Sequence, residues 1–160
     1  MVEYKGMSIT IAPNDHDHLG YFKAAAEHRL VVQQCKDCTL LRGAFGRACP
    51  FCTSLNWEWH EVSGKGTIYS YEIVTQAVQA GFRDWVPYPI ILVDLDEQRQ
   101  VPWRGGRDNE TVSVRRVGNL VKPGNYLEAE DEENVAIGIR VHAVFVDLGD
   151  EISLVQWVLS

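Results

Sequence analysis

Residues 35–52 read CKDCTLLRGAFGRACPFC and contain every cysteine of this 160-residue chain, as two C-x-x-C pairs with ten residues between them. A C-x-x-C turn aims two thiolates at one point, and a second such knuckle completes a tetrahedral shell of four sulfurs. Zinc suits that shell best; iron accepts the same geometry, and oxidation would leave the thiols empty. A redox motif needs only one pair, so two pairs joined by a short ribbon predict a zinc ribbon holding one ion on Cys35, Cys38, Cys49 and Cys52. Four thiolates leave no open coordination position, so the metal is expected to fold the ribbon rather than catalyse. With all four cysteines committed, no thiol remains as a nucleophile. The position after each knuckle often favours glycine because the turn takes a positive φ. Here it is Thr39 and Thr53, residues that resist that conformation.

Outward from the ribbon, the N-terminal side reads NDHDHLGYFKAAAEHRL. Asn14 or Asp15 can cap a short amphipathic helix with Leu19, Phe22 and Ala26 on one stripe. His16 and His18 face apart on such a helix and read as a solvated first turn. On the C-terminal side the apolar period changes to two. GKGTIYSYEIV, YPIILVDLD, NVAIGIRVHAVFVDL and EISLVQWVLS read as strands of a small antiparallel β domain. In IGIRVHAVF, Ile137, Ile139, Val141, Ala143 and Phe145 point one way, with Arg140 and His142 on the wetter face. The Arg- and Gly-rich residues 100–123 lack that period and read as a long loop or hairpin between strands. The predicted division is an N-terminal segment with a helix over 1–30, a zinc ribbon over 31–60 and a β domain over 61–160.

Composition narrows the function classes. The chain is 46% hydrophobic and 23% charged, near the averages of soluble globular domains. No apolar run approaches the roughly 18 residues of a membrane span, and the first twenty residues lack a secretory pattern, which points to a cytoplasmic protein. In that reducing compartment the cysteines read as metal ligands before disulfides.

The order of these features resembles the acyl-CoA-associated zinc-ribbon and OB-fold proteins. The helix runs into a Leu-x-x-x-x-Cys approach from Leu30 to Cys35. Both knuckles follow, then the glycine-marked strand GKGTIYSYEIV, the Pro-led strand PYPIILVDLD, and IGIRVHAVF near the end. Between the knuckles LLRGAFGR stands where that family usually has a proline-rich loop, and VPWRGGRDNETVSVRRVG looks like an insertion. The resemblance implies a mainly β fold: a helix, a rubredoxin-like ribbon and a C-terminal OB barrel. It also implies an auxiliary subunit of a thiolase-like enzyme, noncatalytic alone but required in an acyl-CoA C-acyltransferase complex. The residues agree, since His28, His60 and His142 are scattered in sequence and no free cysteine is left for a thiolase nucleophile.

The competing class is single-strand nucleic-acid binding, with Tyr69, Tyr71, Trp85, Tyr88 and Trp103 as stacking platforms. Charge opposes it. Residues 1–60 hold six basic and six acidic residues, so the whole formal charge of -7 belongs to residues 61–160, where a phosphate-tracking groove should be basic. The local exception is 99–122, where Arg104, Arg107, Arg115 and Arg116 stand among six basic residues and only two acidic ones. Arginine forks match the phosphates of coenzyme A, and Gly105 and Gly106 would let backbone approach. The plain alternative is a solvated hairpin balancing the acidic run EAEDEE at 128–133, itself expected to be a loop between strands.

Overall fold

The computed structural model describes residues 1–97 and 112–160. The chain opens on a hairpin, β1 (Val2–Tyr4) and β2 (Met7–Ile9), whose turn residues Lys5 and Gly6 both have positive φ, as a two-residue I′ turn requires. Helix α1 (Leu19–Ala26) follows. The ribbon is a three-stranded sheet ordered β4-β3-β5, from β3 (Leu30–Cys35), β4 (Leu41–Arg42) and β5 (Trp57–Val62). Beyond it lie β6 (Lys65–Val74), β7 (Tyr88–Leu95), β8 (Arg115–Asn119), β9 (Val121–Lys122), β10 (Asn125–Ala129), β11 (Arg140–Asp147) and β12 (Ser153–Leu159).

The five long strands of the second part pair in the order β12-β11-β6-β7-β8, all antiparallel. A parallel bridge between Leu120 and Trp157 brings the two edges together. Five strands closed in that way form an OB barrel. Its core is filled by Ile68, Ile91, Val93, Leu95, Leu120, Val141 and Trp157. Val31, Val32 and Leu41 of the ribbon and Tyr21 and Ala24 of the helix join the same cluster, so ribbon, helix and barrel share one core.

Several local expectations are corrected. The helix is capped by neither Asn14 nor Asp15: it starts at Leu19 with His18 as N-cap and no side-chain cap. Asp15 instead takes the His18 ring on its carboxylate and the His18 and Leu19 N–H groups on its carbonyl. The buried face is Tyr21, Ala24 and Ala25. The stripe of Leu19, Phe22 and Ala26 is only half-buried and lines a groove of about 550 Å³ with Ile11, Pro13 and Ile152.

Residues 115–119 form the edge strand of the barrel sheet, paired with β7, rather than part of a loop or hairpin inserted between strands. Their apolar content is low because the partner strand supplies it: β8 lies beside Leu92 and Val93, and Gly118 lets the Trp157 ring approach. The acidic run is only partly loop, since Glu128 and Ala129 end β10 and Glu130 is buried, accepting from the Asp131 N–H and the Asn134 side chain. Ile137 is exposed in the turn before β11, and Val144 and Val146 are more buried than Ala143 and Phe145. The end of β11 therefore has neighbours on both sides, and strict alternation stops.

Candidate metal centre

The two knuckles repeat one backbone pattern. The Thr39 N–H donates to the Cys35 carbonyl at 3.0 Å, and the Thr53 N–H to the Cys49 carbonyl at 3.0 Å. The Cys35 N–H donates to the Leu40 carbonyl at 2.9 Å, and the Cys49 N–H to the Ser54 carbonyl at 2.8 Å. Thr39 and Thr53 take φ values of 67° and 62°, so threonine fills the glycine-favouring position in both turns. Each threonine hydroxyl donates to the carbonyl of the preceding cysteine, a local bond that offsets part of the strain of a β-branched residue there.

These turns bring the four sulfurs within 4.8 Å of one another. Cys35 Sγ lies 3.5 Å from Cys52 Sγ, and Cys38 Sγ lies 3.6 Å from Cys49 Sγ. The separations are far above a disulfide bond of about 2.05 Å. They approach the edge of about 3.8 Å in a tetrahedron with metal–sulfur bonds of about 2.3 Å. Cys35, Cys38 and Cys49 are buried against Leu40, and Cys52 is exposed. Burial, the largest influence, opposes ionisation of Cys35, but N–H donors from Cys38 and Asp37 together with the Cys52 and Cys38 thiols outweigh it and hold the thiol down at about 7. Burial pushes Cys38 up to about 12. Four adjacent thiols cannot all ionise unaided, whereas a thiophilic dication would draw off their protons together. The donor set therefore fits a tetrahedral thiolate-bound ion. Among the described residues no other group of three or more His, Cys, Asp or Glu side chains converges.

The histidines are dispersed in space as well as in sequence. His28 bonds to Asp147 at 2.9 Å and stacks on Phe145, while His142 bonds to Ser160 at 2.9 Å. Of the arginines proposed for phosphate, Arg104 and Arg107 lie outside the described residues. The Arg115 guanidinium sits 3.6 Å above the Tyr69 ring. Arg116 donates to the Gly43 carbonyl and faces the Tyr21 and Phe45 rings at 4.7 and 4.5 Å. Arg116 thus joins barrel, ribbon and helix, a role that no spacing rule signals. Sequence reasoning also missed Arg42, which is buried beside the second knuckle and donates to the Ala48 carbonyl at 2.7 Å.

Comparison with known proteins agrees with this geometry. The family model described as the ChsH2 C-terminal OB-fold domain matches residues 59–146. A probable enoyl-CoA hydratase alpha subunit of Thermomonospora curvata is 37% identical over 83 residues, 52% of this chain and 25% of that protein. A DUF35 domain-containing scaffold protein of Pyrococcus furiosus is 37% identical over 73 residues, 44% of this chain and 51% of that protein. The chain thus spans from a quarter to about half the length of these two relatives. Among solved structures, the Ltp2-ChsH2(DUF35) aldolase superposes with a TM-score of 0.69 at 28% identity, covering 93% of this chain and 98% of that one. A DUF35 protein of Sulfolobus solfataricus shares the fold at a TM-score of 0.51 and 13% identity. A ribbon with converged cysteines, a closed five-stranded barrel and a family match over more than half its length establish that the chain belongs to the ChsH2 OB-fold family of DUF35 zinc-ribbon and OB-fold proteins.

Proposed function

We propose that the chain is a noncatalytic auxiliary subunit of an acyl-CoA-processing complex, docking on a thiolase-like enzyme, with one zinc ion organising its ribbon. The observation that carries this is the likeness to the ChsH2(DUF35) chain of an aldolase, spanning nearly the whole of both chains. The relative named as a subunit of a probable enoyl-CoA hydratase supports the wider acyl-CoA class. Cys35, Cys38, Cys49 and Cys52 would hold the zinc, whose closed tetrathiolate shell supplies folding energy and no reactive water. The cysteine cluster takes every thiol of the chain, and the dispersed histidines offer no paired base, so catalysis falls to the partner.

Coenzyme A phosphates would meet the basic segment 99–122. Arg116 is committed to Gly43 and two rings, so that role falls to Arg104, Arg107 and Arg115. Single-strand binding is less favoured, because the most exposed barrel-strand tyrosine, Tyr69, already carries Arg115 on its ring. The test is co-expression with a thiolase-like protein, followed by size exclusion and thioester turnover by each protein alone and together. A stable complex with raised turnover is expected. Turnover by the repurified chain alone, or tight length-dependent binding of oligonucleotides at low salt, would refute the proposal.

A further inference from the structure

We infer that Arg42 is the built-in counter-charge of the metal–tetrathiolate centre. The inference rests on the metal reading above. Arg42 is 5% exposed. Its Nη1 donates to the Ala48 carbonyl, while Nε and Nη2 are buried without a hydrogen-bond partner. Among the described residues none of the ion pairs involves it. A guanidinium cannot shed its charge to escape such a setting, and a buried charge without an opposite one is strongly unfavourable. A buried group with unmet partners therefore calls for an explanation.

The ribbon supplies one. Arg42 lies two residues beyond Leu40, which packs among Cys35, Cys38 and Cys49. Across the sheet Arg42 stands opposite Gln33, and Cys35 lies two residues further along that strand. Side chains two apart in extended chain share a face, so Arg42 sits on the sulfur-facing side of the sheet. Its one hydrogen bond ends on the residue before Cys49. Four thiolates around a dication carry a net charge of minus two, and a fixed cation on the same side of the sheet in a buried site stabilises that charge. Arg42 acts through the sulfurs as a positioning and tuning residue and is not itself a ligand.

Three variants of the full chain separate charge from hydrogen bonding: Arg42→Met, Arg42→Gln and Arg42→Lys. Glutamine can still donate to the Ala48 carbonyl but is neutral, whereas lysine keeps the charge. Zinc affinity is read by competition with a chelator of known strength, and the pH of half-loss of metal by titration. Both neutral variants should bind zinc about 10–100-fold more weakly, the range for residues supporting metal ligands. Their half-loss should move to higher pH, because thiols lacking a nearby cation hold their protons more tightly. Arg42→Lys should recover most of both effects. Neutral variants with wild-type affinity and half-loss pH overturn the inference. So does Arg42→Gln behaving as wild-type while Arg42→Lys fails, which would assign the role to the hydrogen bond. If Arg42→Met does not fold, the Gln and Lys pair still decides. A wild-type chain that takes up no zinc overturns the metal reading, and this inference with it.

Discussion

Gly43→Ala offers a sharp test of how ribbon and barrel are joined. A Cβ at Gly43 would lie 1.9 Å from the Arg115 carbonyl oxygen, 2.9 Å from its carbonyl carbon and 3.0 Å from its nitrogen. All three are backbone atoms of β8, so no side chain can swing aside. Ordinary contact needs well over an ångström more, and the ribbon loop must back away from the barrel edge. That movement breaks the bond from Arg116 to the Gly43 carbonyl, a charge-assisted hydrogen bond worth about 1.5–3 kcal/mol. Overpacking adds about 1–3 kcal/mol, so the total is about 2.5–6 kcal/mol. Gly46, in the same loop, is the matched control. A Cβ there meets nothing within 4 Å and its φ is not positive, so Gly46→Ala should lie within about 1 kcal/mol of wild-type, on the stabilising side. The assay is denaturant unfolding followed by fluorescence of the five tryptophans, with zinc saturating. Equal stabilities for the two variants, within about 0.5 kcal/mol, would refute the argument and with it the docking of ribbon on barrel through Gly43.

Other outcomes can be checked alongside. Cys49→Ser should lose stoichiometric zinc by elemental analysis and unfold the ribbon, since an incomplete shell forfeits the metal's folding energy. Thr53→Gly should keep its melting temperature within a few degrees, because relief of positive φ offsets the lost hydroxyl bond. Thr53→Val, with branched strain and no hydroxyl, should be destabilised by about 1–3 kcal/mol. Arg116→Ala should cost about 2–3 kcal/mol, as a part-buried charge-assisted bond and two ring contacts go. Arg115→Ala should cost under about 1 kcal/mol, its ring contact being at the surface, and denaturation curves of the pair decide between them. The Ser153 hydroxyl, followed by the His28 ring, holds the Asp147 carboxyl below its ordinary range. Its stabilisation is therefore present above the ordinary carboxylate pKa of about 3.9 and is lost as pH falls through the depressed value. Asp147→Asn should flatten that acid limb in a pH series of melts, and an unchanged limb would remove Asp147 from the account.

The convergence of the four cysteines was legible in the sequence because its determinants are local. Two thiolates three residues apart in a turn converge whatever surrounds them, and the threonine hydroxyls that stabilise those turns act on their own backbone. The barrel strands with one apolar face were legible for a related reason, since alternation records burial along a single strand. β8 escaped notice because its contribution is a glycine under Trp157 and two arginines, and their meaning comes from residues far away in the chain. The helix face was misjudged in the same way, because its stripe of Leu19, Phe22 and Ala26 looks outward to a groove while Tyr21 turns to Phe45 and Arg116. Composition marked Arg42, Arg116 and Glu130 only as charges. Tertiary structure decided that Arg42 and Glu130 are buried, and that the Arg116 guanidinium spans the junction of helix, ribbon and barrel, because the atoms that exclude water from a side chain or pair with it belong to other strands and loops.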